Sequence, residues 1–231
     1  MSAPRQARIV PWIHGPSMAL LRALARGWFR TRVDGQQKLP SGPFVGVMNH
    51  SSQMDIPAMA LAVPIPVYYF GKRELFAGPL GFWFHAMGGV PVARGQRDTH
   101  AFDEALRLLR SGQPFFLAPE GTRHHDGRGS GKVHTGFVRL ALLAGCPVLP
   151  VAVAGARECL PPGKAFPRRG RLRVRVGDPL HLDPVPVDPE HHEELARQAA
   201  RVMRIIYDMK QELDLGLSGE GETDASAGVS Q

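Results

Sequence analysis

The chain has 231 residues, 43% of them hydrophobic, and a formal charge of +7. That length suits one domain with a sizeable core and leaves little room for two. The basic balance suits an anionic partner, whether nucleic acid, an anionic membrane surface or a phosphorylated substrate. Two cysteines, Cys146 and Cys159, are too few for a disulfide framework or a zinc site, so both read as reduced thiols. No secretory signal is evident, and no apolar run reaches the roughly eighteen residues of a membrane span, so no transmembrane helix is expected.

Ile9 to Phe29 contains Trp12, Met18, Leu20, Leu21, Leu24, Trp28 and Phe29, interrupted by Arg22 and Arg26. Tryptophans and arginines beside an apolar stripe predict an N-terminal amphipathic helix over residues 1–30, lying in a membrane interface or packed on the core. Phe44 to Met48 and Val67 to Phe70 read as buried strands, Gly78 to Met87 as an apolar, aromatic helix, and Val90 to Val92 as a short strand. Phe102, Ala105, Leu106 and Leu109 have helical spacing, with Asp98 or Thr99 placed to cap.

Pro114 to Ala118 predicts another buried strand, followed by a polar, glycine-rich loop to Thr135. Phe137 to Ala144 predicts a helix ended by Gly145 and Pro147, and Val148 to Ala154 a strand. Leu172, Val174 and Val176 alternate with Arg171, Arg173 and Arg175, predicting a half-exposed strand with a basic face. Asp188 and Pro189 are expected to open a last helix whose apolar positions are Leu195, Ala199, Val202, Ile206 and Met209. The acidic, Gly- and Ser-rich end, residues 215–231, reads as a disordered tail after a folded domain at 31–214. Alternating strands and helices predict an α/β class with a mixed, largely parallel central sheet flanked by helices. Ligands then bind at the carboxyl ends of the strands, just after Met48, Val92 and Ala118.

Three polar clusters stand at those places. In the first, His50 and Asp55 lie five residues apart. On one continuous helix they would be about 140° apart and could not meet. They meet if His50 sits at the strand exit and Asp55 begins the next helix, a break that Pro57 favours. Asp55 would then orient the imidazole of His50, which takes a proton from a substrate hydroxyl. Ser52-x-x-Asp55 equally fits a capping box, with Ser51 and Ser52 as turn and cap residues.

In the second, Arg94 ends a short strand and offers a forked donor pair for phosphate; the alternative is a solvated arginine. In the third, Phe116-Leu117-Ala118-Pro119 leads into Glu120-Gly121-Thr122-Arg123. Gly121 allows close backbone approach to a ligand, Arg123 is a second anion fork, and Glu120 can hold a hydroxyl or orient a base. A plain turn with a solvated Glu–Arg pair is the alternative. Lys72 is a further candidate for the same phosphate. His124, His125 and His134 crowd this loop, but no metal-motif spacing accompanies them and no metal is expected.

Together these pieces resemble the glycerolipid acyltransferase family typified by 1-acylglycerol-3-phosphate acyltransferase. The N-H-x4-D motif is similar to Asn49-His50 through Asp55; Lys72 to Phe76 resembles the stretch that follows. The hydrophobic-Pro-Val-x-Arg motif matches Val90 to Arg94, the E-G-T-R motif Glu120 to Arg123, and the V-P-V strand Pro147 to Val151. Gly177-Asp178-Pro179-Leu180 is similar to the family's terminal turn. The position before Arg94, often acidic in the family, is Ala93, and Lys132 and His134 stand where a Phe-Lys pattern is frequent.

The resemblance implies His50 as general base, Asp55 as its orienter, and Lys72, Arg94 and Arg123 around the acceptor phosphate. Glu120, Gly121 and Thr122 would lie in the acceptor pocket. It implies acyl transfer from acyl-CoA or acyl-carrier protein to the sn-2 hydroxyl of 1-acyl-sn-glycerol 3-phosphate, giving phosphatidic acid, with no metal or redox cofactor. The expected partner surface is an anionic membrane rather than nucleic acid, and the expected place is the cytoplasmic face of the cell membrane. Rival expectations are another acceptor, such as a lyso-ornithine lipid, a lysophospholipid with a full headgroup or a glycolipid, a lipid or thioester hydrolase, and a basic nucleic-acid-binding protein.

Overall fold

The computed structural model describes residues 7–52, 54–93, 98–120, 133–161, 164 and 166–227. The strands are β1 Arg32–Asp34, β2 Val45–Met48, β3 Tyr68–Lys72, β4 Gly89–Val92, β5 Phe115–Leu117, β6 Val148–Ala154 and β7 Arg173–Val176. The helices are α1 Pro11–Trp28, α2 Asp55–Ala62, α3 Arg73–Ala77, α4 Gly81–Ala86, α5 Thr99–Arg110, α6 Gly136–Ala144, α7 Ala156–Cys159 and α8 His192–Ala227.

The strands form one sheet in the order β1-β7-β6-β2-β5-β3-β4. Every neighbouring pair is parallel except β6 with β7. This is the expected α/β class with a mixed, largely parallel sheet. Parallel neighbours need crossover connections, which the helices supply. The exits of β2, β5, β3 and β4 therefore open on one edge of the sheet.

Alternating side chains divide the core into two layers. On β6, Val148 and Ala152 face a cluster with Leu108 and Leu109 of α5, Phe137 and Leu140 of α6, and Val202 and Ile206 of α8. Leu149, Val151 and Val153 face the other side, with Ala58, Met59 and Ala62 of α2 and Ala25 of α1. A β-carbon on Gly46 would stand 2.3 Å from the Phe116 ring, so β2 carries glycine where the neighbouring aromatic lies across it.

Several elements depart from expectation. β1 has only one apolar residue, Val33, between Arg32 and Asp34, and pairs with β7. β7 has no solvated basic face. Arg173 is buried and donates to the carbonyls of Arg30 and Leu172, while Arg175 is bonded to Glu212 of α8. The interior position between β1 and β6 leaves that face under a helix. Asp188 caps a turn by accepting from the backbone N–H of His191, so α8 starts at His192, and its backbone continues to Ala227.

α1 is also turned differently from an ordinary amphipathic helix. Its buried residues are His14, Met18 and Ala25. Arg22 donates through Nε to the carbonyl of Ala60 at 3.1 Å, and Ser17 accepts from Trp83 Nε1 at 3.0 Å. Burial, then the Arg22 charge, hold the His14 imidazole below its ordinary pKa. Meanwhile Trp12, Leu20, Leu24 and Trp28 are exposed. No helix among the described residues is long and apolar enough to cross a membrane.

Candidate active site

β2 ends at Met48, paired with Val151 of β6. The next residue, Asn49, is buried and prolongs that ladder with its side chain. Its Nδ2 donates to the Val153 carbonyl at 2.9 Å, and its Oδ1 accepts from the Val153 N–H at 2.8 Å. The root of the following turn is thereby fixed to the middle of the sheet.

The turn then bends so that α2 begins at Asp55, whose side chain is fully buried. An apolar site is costly for a carboxyl group without partners. Here Oδ2 accepts from the backbone N–H of Ser51 at 2.8 Å and of Ser52 at 2.9 Å, and it lies 2.9 Å from His50 Nδ1. The Ser51 hydroxyl adds a longer contact to Oδ1 at 3.4 Å. The Ser52 hydroxyl donates to the Leu160 carbonyl at 3.0 Å and accepts from Met54 N at 3.3 Å. The capping and catalytic alternatives are thus compatible: one carboxylate caps the turn and holds the imidazole.

A carboxylate can only accept, so Nδ1 of His50 carries a hydrogen, and in the neutral tautomer the lone pair falls on Nε2. The His50 side chain is 15% exposed, enough for one ring edge to meet a substrate. The pair has the geometry of an oriented general base.

Val47 is in register with Leu117 of β5, and His50 and Glu120 each follow three residues later. The two exits are one strand spacing apart, about 5 Å. Glu120 is buried, and the Tyr207 hydroxyl of α8 donates to its Oε1. The Pro119 carbonyl accepts from His134 N at 3.0 Å, which brings the two ends of the intervening segment together.

Lys72 ends β3, in register with Val92 of β4. It is half exposed, and its Nζ lies 3.4 Å from Glu74 Oε1. Such a pair is screened by water and contributes little to stability. Arg94, Gly121, Thr122 and Arg123, with His124, His125 and Lys132, lie outside the described residues.

Just beyond Arg94 in sequence, Asp98 ties both flanks of that segment together. Its Oδ2 accepts from Ala93 N and from Arg73 Nη2, each at 2.9 Å, and its Oδ1 caps α5 by accepting from Ala101 N at 3.1 Å. Burial pushes the Asp98 carboxyl up, but the Ala93 and Ala101 N–H groups and the Arg73 guanidinium outweigh it and hold its pKa below the usual value.

Residues 30–154 match the model of the family described as Acyltransferase. The chain belongs to the acyltransferase family. It is 30% identical over 215 residues to the lyso-ornithine lipid O-acyltransferase of Pseudomonas aeruginosa, covering 87% of this chain and 79% of that protein. It is 25% identical over 186 residues to the 1-acyl-sn-glycerol-3-phosphate acyltransferase of Bacillus subtilis, covering 79% and 89%. It spans only 44% of the chloroplastic enzyme LPAT1 of Arabidopsis thaliana, at 30% identity over 67% of this chain. The crystal structure of the 1-acyl-sn-glycerophosphate acyltransferase PlsC from Thermotoga maritima superposes with a TM-score of 0.67, at 28% identity, covering 86% of this chain and 78% of that one.

Within this acyltransferase, sequence reasoning singled out His50 and Asp55, and the structure brings them together. It missed Tyr207. The available signal was weak: four residues beyond buried Met203 and next to buried Ile206, Tyr207 stands on the flank of the apolar stripe of α8. It also missed Asp98 as a tie between β4, α5 and Arg73, seeing it only as a cap.

Proposed function

We propose that the chain transfers a fatty acyl group from acyl-CoA or acyl-carrier protein to the sn-2 hydroxyl of 1-acyl-sn-glycerol 3-phosphate, giving phosphatidic acid. The observation that carries this is the 2.9 Å contact between His50 Nδ1 and Asp55 Oδ2 at the open edge of the sheet. Nε2 takes the acceptor's proton as its oxygen attacks the thioester carbonyl. The tetrahedral oxyanion collapses, the C–S bond breaks, and the leaving sulfur takes the proton from the imidazolium, so the thiol departs and the neutral base is restored. No acyl-enzyme, metal or redox group takes part. Asp55 stabilises the imidazolium while it exists.

Magnitudes favour the E-G-T-R turn over Lys72 for the acceptor phosphate. That phosphate is separated from the sn-2 oxygen by two carbons and one ester oxygen, so it must lie within a few bonds of the base. The β5 exit is about 5 Å from the β2 exit, while the β3 exit is about 10 Å away. The reading assigns the phosphate to Arg123, three residues beyond Glu120 in sequence, with Arg94 and Lys72 as further cations and Glu120, Gly121 and Thr122 as acceptor-pocket residues.

We further propose peripheral attachment to an anionic membrane, on the cytoplasmic face. Support comes from the outward Trp12, Leu20, Leu24 and Trp28 of α1, next to exposed Arg26 and Arg30. The Arg169 guanidinium stacks over the Trp28 ring at 5.0 Å. Apolar residues rimmed by arginines suit the boundary between acyl chains and anionic headgroups.

A lyso-ornithine lipid acceptor is favoured by the likeness to the Pseudomonas enzyme over 87% of this chain. The deciding experiment offers purified protein one labelled acyl donor with 1-acyl-sn-glycerol 3-phosphate, lyso-ornithine lipid, or no acceptor, and identifies the products by mass. Phosphatidic acid as the dominant product supports the reading. Turnover of lyso-ornithine lipid alone transfers the assignment to that acceptor, and fatty acid released equally in all three makes the protein a hydrolase.

A further inference from the structure

We propose that Tyr207 is a positioning residue for the acceptor side of the site, holding the Glu120 carboxylate from α8. This makes the C-terminal helix part of the catalytic unit, although the match to the family ends at residue 154. The inference rests on the reading of Glu120 as an acceptor-pocket residue.

Glu120 lies three residues beyond the end of a three-residue strand, so the ladder bonds of β5 do not reach it. Its side chain is nevertheless buried. α8 supplies the restraint. Val202, Met203 and Ile206 are all buried in the layer that also contains Val45 and Val47 of β2 and Phe115 of β5. These neighbours set the rotation of the helix about its axis. Tyr207, packed at the margin of the same cluster, projects its hydroxyl to Glu120 Oε1. An aromatic side chain has only two torsions, so a ring held by packing places its hydroxyl with little loss of freedom. A hydrogen bond to a carboxylate is among the stronger neutral-to-charged contacts. Residues 87 positions apart in the chain thus meet one strand spacing from the exit that carries His50.

A held carboxylate accepts a hydrogen bond from the bound acceptor without first being ordered. Loss of the restraint is therefore felt by the acceptor and not by the thioester donor.

The test uses the full chain with whichever lysolipid the wild type acylates. Tyr207→Phe keeps the ring and its packing and removes only the hydroxyl. The expected result is a fall of about tenfold in kcat/KM for the acceptor, as for loss of one hydrogen bond to a charged group, with the donor KM within about twofold of wild type. In a Glu120→Gln background the same substitution should change kcat/KM by less than about twofold, because its partner is already altered. Three results overturn the proposal: an unchanged acceptor kcat/KM, an equal rise in both KM values, or the same penalty in both backgrounds. The last would leave Tyr207 as a packing residue. A wild type that acylates a different lysolipid overturns the proposed acceptor and leaves this test intact.

Discussion

The His50–Asp55 turn and the Lys72 rim stand on the same edge of one sheet and are built in opposite ways. In the turn, the described polar side chains are tied to the fold: Asn49 to β6, Asp55 to two backbone N–H groups and the imidazole, and Ser52 to the segment after α7. At the rim, Lys72 is half exposed and, among the described residues, pairs with the nearby Glu74 at 3.4 Å. The difference fits the chemistry proposed for each. A base must hold its lone pair in one direction within a few tenths of an ångström, whereas a cation attracts a phosphate from many positions. Order is concentrated where direction matters.

The largest test of that contrast is His50→Ala. Removing the base should lower turnover by about 10³-fold or more, with the circular dichroism and membrane association of the wild type. An active variant would end the proposed mechanism. Asp55→Asn comes next. The amide keeps the shape but offers the imidazole a different partner, and a loss of about 10²- to 10⁴-fold in kcat is expected, read by steady-state kinetics. Asp55→Ala should in addition lower the melting temperature, since it leaves the Ser51 and Ser52 N–H groups without their acceptor.

Lys72→Ala should be mild by comparison. A severalfold rise in the acceptor KM that shrinks with added salt is expected, since an exposed charge is screened. A loss as large as that of Asp55→Asn would break the comparison and place Lys72 within the chemistry.

The smallest effect concerns the thiols. Cys146 and Cys159 are buried, and burial, for Cys159 joined by the Glu158 charge, pushes each up to about 11. Almost no thiolate exists at neutral pH, so alkylating reagents should leave activity unchanged. Inhibition matched by labelling of either cysteine would reopen an acyl-thioester route.

Much of the fold was legible because its signals are local. The strands at Val45–Met48 and Val148–Ala154 are continuous apolar runs, and Gly145 ends α6 with a φ of +64°, as its glycine suggested. β1 was not legible. Three residues with a single apolar side chain carry no period, and the strand exists only because β7 offers it an edge. The arginines of β7 misled for a related reason: alternation marks two faces but does not say what covers them, and here Arg173 finds backbone carbonyls. At the site, the five-residue spacing of His50 and Asp55 showed that the two side chains could meet only across a break before the helix, and they do meet there. The meeting of Glu120 with Tyr207 spans 87 residues and depends on the rotation of α8, which no short window of sequence contains.

The side chain of Asn49 stands in for one rung of the β2–β6 ladder. Opening of the catalytic turn and fraying of the central strands are therefore the same event, and the Val153 amide should exchange its hydrogen for deuterium as slowly as its strand neighbours. In Asn49→Ala that amide loses its acceptor within the core, and heat should silence the enzyme at a temperature well below the one that unfolds it.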